Sequence, residues 1–242
     1  MKTTGRTRTK FTQFSLFSVL LSGRYDGVIS IGELKKYGSM AIATMDRLDG
    51  EMQMIDGVVY QACSDGHIYL PGDDATIPFG TVAEFHAEAA LQLGDLPKFE
   101  LFEERVDQLC PRQNLPLAVH FTGSFRRMKV RTVGRQERDG VGLAEATESE
   151  AVFELNDTCG DLVGFRLPGY VMGVNAPGWH LHFVDRERRH GGHVVNFSLA
   201  EGELRFCYAD DFQICLPGAE ALAGLDLARD WSCELKRAEA ER

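Results

Sequence analysis

The chain has 242 residues, 44% of them hydrophobic and 15 of them phenylalanine, enough apolar side chain for one large or two small domains with a real core. A formal charge of −10 argues against the concentrated Lys and Arg surface that phosphate binding needs, so no nucleic-acid partner is expected. No apolar run approaches a membrane span, and the six cysteines lie scattered without a C-x-x-C pair, which predicts reduced, mostly buried thiols in a cytoplasmic protein.

Phe11 to Leu21, FTQFSLFSVLL, follows Lys2, Arg6, Arg8 and Lys10 in the manner of a secretory leader. Thr12, Gln13, Ser15 and Ser18 interrupt it and no small-x-small cleavage site follows, so a secreted form is the minority reading. Phe14, Phe17, Val19, Leu20 and Leu21 are expected to form a short helix on the core. Residues 27–71 hold several strands broken by D-G and G-E punctuation, and TVAEFHAEAALQL (81–93) reads as a helix. LAVHFTGSFRRMKVRTV (117–133) alternates as a long strand or hairpin. The charged, poorly periodic stretch 134–151 is the candidate linker. From Asp161 the strands resume, and GAEALAGLDLARDWSCEL (218–235) is helix-like.

This alternation predicts an α/β protein of the α+β, β-rich kind. Two similar domains, 11–135 and 136–242, each carry a mixed sheet with a helix, and the cleft between them is the natural place for a site. DGEMQMIDGVVYQA (49–62) and GGHVVNFSLAEGELRF (191–206) both read as a glycine, a polar residue, a strand, a turn and a second strand. Setting Gly50 against Gly192 places Glu51 opposite His193.

PGWHLHFVDRERRHGGHVVNF (177–197) carries the chemistry. Residues i and i+2 of a strand share a face about 6.5 Å apart. His180 and His182 can therefore aim at one ion held ~2.0–2.1 Å from each nitrogen. Closing the hairpin near Glu187 and Arg188 brings His193 opposite His182 on the same face. His190, three residues before His193, is sent to the other face and is excluded. H-x-H alone is a weak signal, since strand histidines are often structural; the third histidine raises the metal reading. Zn2+ suits the set, while iron, nickel or manganese take the same ligand type, as a cupin-like barrel would.

GELKKYGSMAIATMDRLDGEM, HFTGSFRRMKVRTV and GWHLHFVDRERRHGGHV together resemble the three most recognisable blocks of the alpha-acetolactate decarboxylase family, over nearly the whole chain from about Phe14. The resemblance implies a two-domain α/β homodimer with zinc at the domain interface that converts 2-acetolactate to (R)-acetoin and carbon dioxide. It makes His180, His182 and His193 the zinc ligands. Glu51 matches a glutamate at the metal site, Arg131 the active-site arginine and Thr44 a threonine near the metal. A glutamate near the C terminus also belongs to the family's site; in CELKRAEAER this reading favours Glu239, with Glu234 and Glu241 as alternatives. Ala43 stands where the family has glycine and Met45 where an aromatic is common, which implies an altered pocket.

These residue types make chemical sense. Loss of carbon dioxide leaves charge on the adjacent ketone as an enediolate, which a Lewis-acidic ion would stabilise. Arg131 would fork the carboxylate, and Glu51 or the C-terminal glutamate would deliver the proton that sets the chirality of acetoin.

Each residue has a plainer reading. Arg127, Lys129 and Arg131 read alone as a solvated basic stripe, Glu51 as a hairpin carboxylate and Thr44 as a strand residue. His67, His86 and His120 lack partners at ligand spacing. Two other classes use the same histidines: a metal-dependent hydrolase or oxygenase, and a non-enzymatic metal- or sugar-binding β protein.

Overall fold

The structure, a computed structural model, describes residues 8–138 and 140–239. β1 (Lys10–Phe14) turns at Ser15 (φ 67°) into α1 (Phe17–Leu21), every residue of which is buried. The expected helix thus begins at Phe17, and Phe14 belongs to the strand. Next come β2 (Ile29–Ser30), α2 (Ile31–Leu34), β3 (Met40–Thr44), β4 (Glu51–Ile55), β5 (Val58–Ala62), β6 (Ile68–Tyr69), β7 (Thr76–Ile77), β8 (Phe79–Ala83) and β9 (Ala89–Leu93). α3 (Phe99–Leu109) precedes β10 (Leu117–Thr132), and α4 (Leu143–Ala146) leads to β11 (Ala151–Leu167), β12 (Gly178–Asp185), β13 (Gly191–Tyr208) and β14 (Asp211–Cys215). α5 (Ala219–Leu222) and α6 (Ser232–Glu239) follow; among the described residues no helix is long and apolar enough to cross a membrane.

One sheet has the order β14-β1-β8-β3-β4-β5-β6 and is parallel only between β14 and β1. The other, β10-β11-β12-β13-β9, is antiparallel throughout, which corrects the expectation that both would be mixed. β10 pairs with β11 along one edge and β13 along the other, and β12 bridges β11 to the start of β13, so this sheet closes on itself. β9 and β10 lie in it with β11 to β13, whereas β14 returns to the first sheet. The boundary at 135/136 is therefore not the boundary between sheets.

Three local expectations are corrected. Residues 81–93 hold the end of β8 and all of β9 rather than a helix: the Ala-, Glu- and Leu-rich composition favours helix, but Ala89–Leu93 pair with β13 and Thr81–Ala83 lie between β1 and β3, and those pairings override propensity. The helix of this region is α3 instead, with Phe99, Phe102, Val106 and Leu109 on one face and Phe102 and Val106 fully buried. The stretch 134–151 is not a bare linker, since Leu143, Ala144, Ala146 and Thr147 are buried in α4 and the turn after it. Finally, 49–62 is a true hairpin turning at Asp56 (φ 50°) and Gly57 (φ 80°), but 191–208 runs as one strand, so the two segments are not copies.

Alternation decides what each face of the second sheet carries. Leu117, Val119, Phe121, Leu181 and Phe183 turn into its own core, where Phe102 of α3 packs edge-to-face on Phe121. Val163 and Phe165 turn the other way, against Phe11, Met40, Ile42 and Ile55 of the first sheet. Each fully buried Phe contributes about 1.5–3 kcal/mol. His180 pairs across with Phe165 and His182 with Val163, so the histidines share the face that meets the first sheet.

Candidate active site

The tip of the β12–β13 hairpin sets the register of the site. Asp185 Oδ1 accepts the N–H groups of Arg189 (2.7 Å) and His190 (3.2 Å), and the Asp185 N–H donates to the His190 carbonyl. Arg188 takes φ 56° in the turn. With the turn closed there, His182 falls opposite His193, as the spacing predicts. Gly192, at φ 148°, lets β13 come against β10, because a Cβ there would lie 2.6 Å from the Arg131 carbonyl oxygen.

The ligand nitrogens of His180, His182 and His193 all lie within 4.8 Å of one another. His182 is 1% exposed and His193 9%. Burial first, then the neighbouring His180, pushes His182 well below the usual histidine range; burial and then Arg131 do the same to His193. Both are therefore neutral imidazoles, the form that binds metal. His182 Nδ1–H donates to the Met52 carbonyl at 3.0 Å, which leaves the lone pair on Nε2. That Nε2 is buried without a hydrogen-bond partner and lies 3.7 Å from Glu51 Oε2. A buried basic nitrogen left without a partner is unfavourable unless something ligates it. The donor set and this orphaned atom fit a divalent transition-metal ion held by the three histidines, with Glu51 beside it.

Glu51 and Thr44 come from the first sheet, where they are cross-strand partners, and the Thr44 hydroxyl donates to the Gly50 carbonyl at 3.3 Å. Arg131 stands opposite His193 on β10. Its Nη1 lies 3.2 Å from Glu150 Oε2, with the two side chains 7% and 5% exposed. The basic-stripe reading therefore fails at Arg131: Arg127 is exposed and Lys129 partly buried, but Arg131 is inside.

All six of these residues border one cavity of about 710 Å³, measured out to its mouth. Phe17 and Leu20 of α1, Phe79, Leu143 and Phe165 make its apolar wall. Thr81 and Asn175 border it as well, and Asn175 Nδ2 donates to Gln13 Oε1 (2.7 Å) and Thr81 Oγ1 (3.2 Å). Ala43 and Met45 both pack in the core cluster with Met52 and Met54, and of the two Ala43 also borders the cavity.

Glu239 ends α6, but its side chain lies outside the described residues, as does all of Glu241. Glu234 is ion-paired to Arg229 at 2.7 Å. His190 binds the Gly66 carbonyl and stacks near His67, away from the cluster, as its odd spacing predicts. His86 is exposed beside Glu84. His120 is buried and bonded to Asp161 at 2.8 Å. Glu150, Thr81 and Asn175 carried no sequence signal: each becomes a site neighbour only through contacts between segments separated in the chain. Of the six cysteines expected to be mostly buried, only Cys110 and Cys207 are buried.

These features define a strand-rich α+β protein with a three-histidine pocket where two sheets meet. Residues 11–229 match the sequence model of the family described as alpha-acetolactate decarboxylase. The chain is 38% identical over 227 residues to the alpha-acetolactate decarboxylase of Methanosarcina mazei, covering 94% of this chain and 79% of that protein. It is 35% identical to that of Bacillus licheniformis, covering 86% and 82%. The crystal structure of alpha-acetolactate decarboxylase from Bacillus subtilis strain 168 superposes with a TM-score of 0.92 at 30% identity, covering 95% of this chain and 99% of that one. The chain belongs to the alpha-acetolactate decarboxylase family.

Proposed function

We propose that this protein decarboxylates 2-acetolactate to (R)-acetoin and carbon dioxide, with zinc as its native ion held by His180, His182 and His193. The observation that carries the reading is the buried, unbonded Nε2 of His182 within a cluster of three imidazoles that borders one cavity with Arg131. The named relatives supply the substrate class.

A divalent ion bound there would act as a Lewis acid toward the ketone and hydroxyl oxygens of the substrate, drawing off the charge that develops as carbon dioxide leaves. Arg131 takes the substrate carboxylate in a fork and holds the breaking C–C bond perpendicular to the carbonyl plane, so that its electron pair flows into the π system. The apolar wall of Phe17, Leu20 and Leu143 receives the methyl groups and excludes water. Glu51, or Glu239 from the C-terminal helix, delivers a proton to one face of the resulting carbanion and so sets the configuration of acetoin. Thr44 supports the Glu51 strand from across the sheet. A homodimer in the cytoplasm completes the reading, and six scattered cysteines without a C-x-x-C pair agree with a reducing compartment.

The test is release of carbon dioxide and acetoin from racemic 2-acetolactate, with and without prior chelation. Turnover by the metal-loaded protein alone, restored by zinc and giving one enantiomer, is expected. No turnover by zinc-loaded protein would overturn the substrate assignment and favour another metal-dependent reaction.

A further inference from the structure

Arg131 is buried, and a guanidinium removed from water needs an anion close by. Glu150 supplies one from an unexpected place, the stretch that reads as a linker in the sequence. It stands one residue before β11, and its N–H donates to the Thr147 carbonyl at 3.3 Å, which fixes where the strand begins. Arg131 is the cross-strand partner of Val152 on β11. Glu150, two residues before Val152, shares that face and is the diagonal neighbour of Arg131, within reach of a long side chain. Its Oε2 takes Nη1 at 3.2 Å, and both side chains are nearly inaccessible. Thr147, three residues earlier, itself borders the cavity, so the turn that places Glu150 is part of the pocket wall.

We propose that Glu150 is a positioning residue: it sets the rotational angle of the Arg131 guanidinium, and through it the plane in which the substrate carboxylate is held. This rests on the reading that Arg131 binds that carboxylate. The orientation matters because the bond to the carboxylate breaks only when it lies perpendicular to the adjacent carbonyl, and a fork held at one edge cannot rotate away from that angle. The proton and electron movements of the reaction are unchanged; Glu150 does not touch the substrate.

Two substitutions separate position from charge. Glu150→Asp keeps the charge but draws the acceptor back by one methylene, whereas Glu150→Gln keeps the reach and an acceptor oxygen but removes the charge. With activity referred to folded, metal-loaded protein, Glu150→Asp is expected to lower kcat by about 10–100-fold with KM little changed. Glu150→Gln is expected to retain kcat within about threefold, even if its Tm falls. Binding of the unreactive acid 2-hydroxy-2-methylbutanoate, followed by calorimetry, should stay within about threefold of the parent in Glu150→Asp, because the Arg131 charge remains. A larger kcat loss in Glu150→Gln than in Glu150→Asp, or parental kcat in both, would overturn the proposal, leaving Glu150 as a counter-charge only. Failure of the underlying reading is seen separately, as a parent protein that releases no carbon dioxide from 2-acetolactate.

Discussion

Nδ1 of His182 lies 3.0 Å from the main-chain oxygen of Met52, so the group that orients this histidine belongs to the opposite sheet. The bond joins β12 to β4, the strand that begins with Glu51, and turns Nε2 toward His180 and His193. A backbone acceptor cannot be lost by substitution at Met52, so the ring orientation depends on how the two sheets pack rather than on a second side chain.

Removing the ring should remove the ion. His182→Ala is expected to fall from about one bound ion per chain to almost none, while His190→Ala, which loses contacts to Gly66 and His67 away from the cluster, keeps it. Elemental analysis after desalting decides it; stoichiometric metal in His182→Ala would refute the ligand assignment.

Arg131 and Glu150 should be energetically coupled. Arg131→Ala leaves a buried carboxylate without its cation and is expected to cost about 3–5 kcal/mol in denaturant unfolding. Combining Arg131→Met with Glu150→Leu should recover most of that loss, yet turnover should stay at least about 100-fold below the parent. Normal turnover in either variant would take Arg131 out of the mechanism.

Asp161 should steepen acid denaturation. Burial opposes its charge, but hydrogen bonds from His120, Thr122 and Arg188 outweigh burial and hold its carboxyl below the ordinary 3.8. A depressed folded value means stability that is present above about pH 4 and lost as pH falls below it. Asp161→Asn is expected to lose about 1–3 kcal/mol at pH 7 and to show a shallower decline of stability below pH 4. An unaltered acid limb in chemical denaturation would contradict this.

Glu103 acts with the opposite sign. Burial first, then Glu100, Asp107 and Glu104 on the same helix, pushes its carboxyl from 4.5 up to about 7. The folded state then binds more protons than the unfolded one between these values, so stability falls as pH rises from 4.5 through 7. Glu103→Gln should flatten that slope and stabilise the protein at pH 8 by on the order of 1 kcal/mol after solvent screening. Thermal melts across that range check it, and an unchanged slope would count against it.

The histidine hairpin was legible because its geometry is local. A period of two and a turn centred near Arg188 are enough to bring His180, His182 and His193 together and send His190 away. Residues 81–93 read differently for the opposite reason: Ala, Glu and Leu favour a helix, while the strand identity of β9 comes from pairing with the distant β13. The pairing of 49–62 with 191–206 failed because a G-E-L sequence looks like a turn, whereas Gly202 lies opposite Gly123 and β13 runs on past it along β10, with only a register shift between Glu201 and Leu199.

Sequence by itself determined the strand-rich composition and the cluster of three histidines, and the family blocks pointed to Thr44, Glu51 and Arg131, which border the same cavity. Tertiary structure alone decided that Glu150 reaches Arg131, that Met52 orients His182 and that the two sheets rather than two sequential halves enclose the pocket. Side-chain spacing within a hairpin follows from strand pleating, which any short segment carries. Contacts between segments 19 and 130 residues apart depend on which edges pair and which faces pack, and no local pattern encodes those choices.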